Sequence, residues 1–323
     1  MPTRIILDTD TGVDDALAIL LAMRSPELHV EAITAVSGNV HVDKCARNIL
    51  LTLERLDLDA IPDVAKGEAA PLVKPPFIAG EVHGEDGIGG ITGLLNPDGS
   101  RLYPDPADRL SPVSAVDLIL DRIGMYPDEI TLIAVGPLTN VARAIIKNPS
   151  RMRKLRQIVI MGGVFRVYGN VSPVAEFNIF VDPHAAQVVC DTGIPLIFVP
   201  LDVTMQAILT AERITQGAAT GGPVAAFVRD CTAHYVDFHR QRRNVDGCFM
   251  HDPLAVAVAF RPDLVEMVDA RVDVETAGDL TIGMTVADLR PGRLPPAGAN
   301  ARVCVDVNAE AFLTLFTERV LYR

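Results

Sequence analysis

Tryptophan is absent from this 323-residue chain and aromatic residues make up only 5% of it, so any stacking on a flat ring must come from Phe, Tyr or His. Cysteine is scarce as well. Cys45, Cys190, Cys231, Cys248 and Cys304 are odd in number, far apart and never in a CxxC pair, which argues against a disulfide framework or a zinc site and for buried, reduced thiols. No apolar run approaches the ~20 residues that span a bilayer. The opening MPTRIILDTD reaches charged residues too early for a signal peptide, so a cytoplasmic protein is the expectation. Positive charge is in deficit: 29 Lys and Arg against 41 Asp and Glu leave a formal net charge of −12. Nucleic acid and anionic membranes both need a basic face, so neither is expected as a partner.

What the chain does have is apolar material, 49% of its residues against 22% charged, which suits a large core and not disorder. Short apolar runs that read as buried strands alternate with stretches of helical periodicity. RIILD (4–8), VEAITAVSG (30–38), ITLIAVG (130–136), QIVIMGG (157–163) and PLIFVP (195–200) read as strands; VDDALAILLAMRS (13–25), VDKCARNILLTLERL (42–56), SAVDLILDRIGM (114–125) and LTNVARAIIKN (138–148) read as helices. This rhythm predicts an α/β fold, a central and mostly parallel sheet flanked by helices, of the open Rossmann-like kind. The Pro- and Gly-rich stretch 62–113 interrupts it and reads as a functional loop around EVHGEDGIGG (81–90). ARVCVDVNAEAFLTLFTERV (301–320) supplies a last strand and a closing helix, and with no linker or repeat a single domain over 1–323 is predicted.

The sharpest feature is IILDTDTGVDD (5–15), where Asp8, Asp10, Asp14 and Asp15 fall within eight positions. Like charges this close repel and raise one another's pKa. Open parallel sheets bind ligands at the carboxyl ends of their strands. Asp8 and Asp10 stand at such an end, on one face if the strand persists. Thr11 and Gly12 make the turn, and Asp14 and Asp15 fall in the first turn of the helix. Helix capping accounts for one or both of those, but not for all four. Carboxylates without His or Cys beside them suit a hard cation such as Ca²⁺ or Mg²⁺.

Two further stretches add to this. GNVSPVAEFNIFVDPHAA (169–186) sets Asn170, Glu176 and Asn178 around Phe177; amides and a carboxylate suit sugar hydroxyls, although a polar loop with an Asx turn is the better reading of this stretch alone. CFMHDPLAVAVAF (248–260) places His251 and Asp252 before Pro253 at the start of a buried helix, where neighbouring side chains diverge and one can reach a metal while the other reaches a substrate.

Together the segments resemble the calcium-dependent ribonucleoside hydrolases, the inosine–uridine-preferring nucleoside hydrolase family. DTDTGVDD (8–15), SGNV (37–40), VHGEDGIGG (82–90), VGPLTNVA (135–142), MGG (161–163), GNVSPVAEFN (169–178), LDVT (201–204) and HDPLA (251–255) run in the family's order across most of the chain. The resemblance implies Ca²⁺ held by the carboxylates of Asp10, Asp15 and Asp252, by the backbone carbonyl of Val135 and by the 2′- and 3′-hydroxyls of a ribonucleoside. It implies that Asp14 binds those hydroxyls and that Asn39, Asn170, Glu176, Phe177 and Asn178 surround the sugar, with Glu176 and Asn170 near the 5′-hydroxyl. Met161 packs on the ribose, Asp8 supports the metal from close by, and His83 and His251 lie on the side of the departing base. The implied reaction is hydrolysis of the N-glycosidic bond to base and ribose through an oxocarbenium-like transition state. A calcium-coordinated water is the nucleophile and Asp10 its general base, with Asp14 also catalytic; His251, with a pKa near neutrality, is the acid that protonates the base. Nucleoside salvage and a homo-oligomer, dimer or tetramer, complete what the resemblance implies.

Met205 departs from the family pattern, standing after LDVT where many relatives carry His or another polar residue. HYVDFHRQRR (234–243) is either a wall for the base, through Tyr235, Phe238 and His239, or a solvated helix with an aromatic inner face, and purine or pyrimidine preference rests on it. Two rivals are weighed. A haloacid-dehalogenase-type phosphatase would use Asp8 as nucleophile but leaves AEFN and HDP without a purpose. A non-catalytic calcium-dependent nucleoside- or sugar-binding protein would have no need of His251.

Overall fold

The architecture comes from a computed structural model that describes residues 1–58, 60–290 and 298–322. Strand β1 (Thr3–Thr9) feeds helix α1 (Val13–Met23), followed by β2 (Leu28–Ala35), α2 (Val42–Leu53) and β3 (Asp63–Lys66). A long excursion with the single turn α3 (Gly80–His83) leads to α4 (Ala115–Met125), β4 (Thr131–Ala134), α5 (Thr139–Lys147), α6 (Pro149–Met152) and β5 (Gln157–Met161). Then come α7 (Phe177–Val181), α8 (Pro183–Cys190), β6 (Leu196–Val199), α9 (Leu201–Thr204), β7 (Ile208–Thr210), α10 (Ala211–Thr220), α11 (Pro223–Arg243), β8 (Gly247–Phe249) and α12 (His251–Phe260). The chain closes with β9 (Val265–Ala270), β10 (Asp273–Val274), β11 (Thr285–Val286), β12 (Ala301–Val307) and α13 (Ala309–Phe316).

Among the described residues the main sheet runs β3-β2-β1-β4-β5-β6-β12-β9, parallel throughout except for β9, which lies antiparallel to β12. Helices cover both faces, which is why the strands are near-continuous apolar runs. Side chains alternate between the faces: Ile5 and Leu7 join one core with α1, α2 and α12, while Ile6 joins the other with α4, α5 and α8. Helix α1 is buried from Val13 through Ala22, as its all-round apolar sequence requires of a helix sandwiched between sheet and neighbours. The predicted mostly parallel open sheet is therefore found. Two features lie outside the βα rhythm: β3, four residues within the stretch expected to be loop, and the insertion of β12 between β6 and an antiparallel edge strand.

One consequence of the strand order places the site. From β1 the chain builds outward through β2 and β3, then returns to lay β4 on the other flank of β1. At such a reversal the loops at the carboxyl ends diverge and open a crevice. Asp10 directly follows the end of β1, and Val135 directly follows β4.

Candidate active site

Strand β1 ends at Thr9, so its pleat does not carry through to Asp10. Asp8 accepts hydrogen bonds from the Thr34 hydroxyl (2.6 Å) and Asn140 Nδ2 (2.7 Å), tying β1 to β2 and α5. Asp10, just past the strand end, accepts from the Asn39 amide (2.7 Å). The expectation that both lie on one face required the strand to persist, and it stops one residue before Asp10. Asp8 is perturbed by burial, which pushes its pKa up to about 7, and by no neighbouring carboxylate.

Gly12 caps α1, and Asp14 and Asp15 occupy its first turn. Asp15 accepts from the Gly12 amide (2.8 Å), from Asn39 Nδ2 (3.0 Å) and from the Thr9 hydroxyl. Helix α12 packs on α1 and brings Asp252 from its own first turn. Asp14, Asp15 and Asp252 each offer an oxygen, all within 4.8 Å of one another, and Asp10 comes within hydrogen-bonding reach of Asp15. Gly38 makes room for this: a Cβ there would lie 2.1 Å from Asp10 Oδ2.

Burial and mutual repulsion hold Asp10, Asp14 and Asp252 well above the usual carboxylate range, and burial alone raises Asp15 against the hydrogen bonds that oppose it. Among the described residues no Lys or Arg pairs with any of the four; the one approaching group, His83, is 3.9 Å from Asp14 and is held neutral, its pKa pushed down to about 3 by burial and by His239 and His234. Asp10 Oδ1 is buried without any partner. An all-oxygen set with an orphaned oxygen and no countercharge fits a hard divalent cation. The Val135 carbonyl accepts from Asn178 Nδ2 (2.9 Å) and keeps a second lone pair for such an ion.

Asp14 and Asp252 surface in a cavity of about 540 Å³, while Asp10 and Asp15 lie beneath its floor. The wall of the same cavity holds Asn39, Val135, Met161, Asn170, Glu176, Phe177 and Asn178, so the residues expected around a sugar do line one cavity. Glu176 caps α7, accepting from the amides of Gly163 (3.0 Å), Asn178 (2.8 Å) and Ile179 (3.2 Å), and burial outweighs these bonds to raise its pKa to about 7. Asn178 Nδ2 also donates to the Met161 carbonyl (3.1 Å), and Asn170 accepts from the Phe177 amide (2.9 Å) at the rim.

The rest of the wall is a chain of rings. His83 stacks on Tyr235 (centroids 5.3 Å apart), Tyr235 meets His239 edge-on (4.3 Å), His239 meets Phe249 (4.9 Å), and Phe249 stacks on His251 (5.5 Å). Tyr235, Phe238 and His239 of α11 thus line the cavity, and Met205 joins them. His251 Nδ1 sits 2.7 Å from the Thr204 hydroxyl. Its expected near-neutral pKa is corrected: burial first, then the neighbouring His239, Arg243 and His83, push it down to about 3, so the imidazole is neutral at pH 7. Phe249, Arg243 and the rim segment around Phe77 were not foreseen. The spacing of Tyr235, His239 and Arg243, four apart on one helix face, carries a signal for Arg243. Conversely, Asp86 of EVHGEDGIGG shapes its own loop by accepting from the amides of Ile88 (3.0 Å), Gly90 (2.8 Å) and Thr92 (3.1 Å).

A family model described as inosine-uridine preferring nucleoside hydrolase matches residues 5–314. The chain is 40% identical over 325 aligned positions to the pyrimidine-specific ribonucleoside hydrolase RihA of Citrobacter koseri, with all of this chain and 99% of that relative covered. The fold superposes on a plant nucleoside hydrolase, PpNRh1, with a TM-score of 0.90 and 31% identity over the whole of both chains. On the purine-preferring ribonucleoside hydrolase from Gardnerella vaginalis the TM-score is 0.89, with 34% identity over 98% of each chain.

Proposed function

Since the chain belongs to the inosine-uridine preferring nucleoside hydrolase family, and is thereby a ribonucleoside hydrolase, we propose that it cleaves the N-glycosidic bond with a calcium ion held by Asp10, Asp15, Asp252 and the Val135 carbonyl. The observation that carries this reading is the buried carboxylate cluster without a countercharge, at the floor of a cavity that a nucleoside can enter. Bound calcium supplies neutralising charge, an anchor for the 2′- and 3′-hydroxyls and an easier deprotonation of water.

Asp14, which reaches the cavity, accepts hydrogen bonds from the ribose hydroxyls. Asn39, Asn170, Glu176, Phe177, Asn178 and Met161 hold the sugar. Asp10 takes a proton from the attacking water as its oxygen bonds to C1′. The positive charge that grows on C1′ and the ring oxygen meets carboxylates already fixed in place, so little reorganisation is needed at the moment of reaction. Electrons of the breaking bond pass to the base, which leaves toward His83 and His251. His251, neutral in this pocket, donates a hydrogen bond to the base as negative charge collects there; a neutral imidazole can act as such an electrophile. Asp8, tied through Oδ1 to Thr34 and Asn140, does not line the cavity, which disfavours the phosphatase reading, where it would be the nucleophile.

We take pyrimidine ribosides as preferred substrates, supported by the name of the 40% identical relative. A cytoplasmic homo-oligomer, dimer or tetramer, working in nucleoside salvage belongs to the same proposal. Among the described residues no helix is long and apolar enough to cross a membrane. The test is release of free ribose from uridine, cytidine, inosine, adenosine and guanosine, with and without a strong calcium chelator. Ribose appearing fastest from uridine or cytidine, and only without chelator, is expected. Activity that survives exhaustive chelation would remove the calcium assignment, and intact nucleosides throughout would leave a binding protein.

A further inference from the structure

The contact between His251 Nδ1 and the Thr204 hydroxyl (2.7 Å) has no role in the chemistry derived above. Thr204 ends the short helix α9, is fully buried and does not line the cavity, whereas His251 does. The ring is therefore held at one nitrogen from behind. We infer that Thr204 is a positioning residue for the hydrolysis: its hydroxyl donates to Nδ1 of His251 and so fixes the ring with its Nε2–H available to the cavity.

The direction of that hydrogen bond follows from counting partners. A neutral imidazole carries one N–H and one lone-pair nitrogen, and a hydroxyl has one proton to give. Among the described residues the Thr204 hydroxyl has no other acceptor in range. Were Nδ1–H to donate to Thr204, the hydroxyl proton would be buried without a partner, a costly arrangement. The cavity would then face an imidazole lone pair, which repels a base that is gaining negative charge. With Thr204 as donor both groups are satisfied and the cavity receives a donor. Stacking on Phe249 at 5.5 Å restricts the ring plane, leaving the hydroxyl to decide which edge points inward.

This inference rests on the reading that His251 faces the departing base, and the experiment separates the two. Uridine needs help to expel its base; an activated aryl riboside, whose leaving group is stable as an anion, does not. Thr204→Val, Thr204→Ser and His251→Ala are compared on both substrates, in the calcium-loaded enzyme. Thr204→Val, nearly isosteric, is expected to lower kcat on uridine about tenfold, the size of one neutral hydrogen bond. Its KM and its rate on the aryl riboside should be unchanged, and Thr204→Ser should stay close to the parent. Independently, ¹⁵N spectra of histidine-labelled parent protein should show His251 as the Nε2–H tautomer, a readout that needs no variant to fold. If His251→Ala slows both substrates alike, the reading of His251 falls and the inference with it. If His251→Ala discriminates and Thr204→Val does not, or if the parent shows the Nδ1–H tautomer, the inference alone is overturned.

Discussion

Asp10 combines full burial with an unpartnered carboxylate oxygen, and Asp15 and Asp14, which crowd with Asp252, lie near enough to raise its pKa. Such a group destabilises the protein until a cation arrives. Asp10→Asn keeps an oxygen for the Asn39 amide while removing one charge. It should therefore have opposite effects in two conditions. With calcium, turnover should fall at least ~100-fold and calcium affinity should drop, as for loss of a direct ligand and base. With chelator, the variant should be more stable than the parent by about 1 kcal/mol, because one repulsive partner is gone. Calorimetric calcium titration and thermal melts in both conditions check this, and parent-like activity in the variant would sink the assignment. His251 makes a related point. A histidine next to an aspartate reads as a proton donor in sequence, yet in the folded chain burial, with His239, Arg243 and His83 around it, keeps it neutral.

His83 ends the turn α3, and the loop 84–92 that follows it packs on α11. Gly89 has φ +78° and a Cβ there would stand 2.1 Å from the Cys231 carbonyl of α11, while its amide donates to the His83 carbonyl (2.8 Å). Only glycine combines that backbone conformation with that approach. Gly89→Ala should lift the loop off the helix, costing about 1–3 kcal/mol of stability. It should also raise KM for nucleosides by disturbing His83 and Tyr235. Calcium affinity should be unchanged, since no residue of the cluster lies on this loop. Melting curves, steady-state kinetics and a calcium titration on one preparation separate these effects; weakened calcium binding would show that the loop and the cluster are coupled. In helix α1, by contrast, Leu17→Ala acts through the core alone and should cost about 2–5 kcal/mol without changing KM.

Across the whole molecule the buried acids set the pH dependence of the calcium-free protein. Glu176 holds its proton to about pH 7 when folded, and Asp10, Asp14 and Asp252 hold theirs well above the ordinary carboxylate range, whereas the unfolded chain releases them near pH 4. The folded state thus binds more protons than the unfolded one, and stability falls as pH rises from about 5 to about 8, by about 1.4 kcal/mol per unit for each such group. His83, His239 and His251, pushed down to about 3, 4 and 3, work in the opposite sense, but only below about pH 6.5, where the unfolded histidines take up protons. Melts in chelator should therefore fall steadily in temperature toward pH 8. Added calcium, which binds ionised carboxylates, should flatten that decline, and Glu176→Gln should flatten the part below pH 7. A melting temperature in chelator that rises over this range would contradict the burial of these acids.

Local chemistry was readable in the sequence because its rules act over a few residues. The apolar runs of β1, β2, β4, β5 and β6, the helical period of α1 and the caps around Gly12 follow from side chains that meet their neighbours in the chain, and so the parallel sheet and the acidic turn could be foreseen. Even there the reach is short: β1 stops at Thr9, one residue before Asp10, which the apolar run did not mark. Strand order, the insertion of β12, and the packing of α12 on α1 that delivers Asp252 to Asp14 and Asp15 depend on where distant segments land. The same holds for the neutral His251 and for its Thr204 partner, which lies forty-seven positions away. A pKa is set by desolvation and by every charge within several ångströms, and those surroundings exist only once the whole chain has closed over the site.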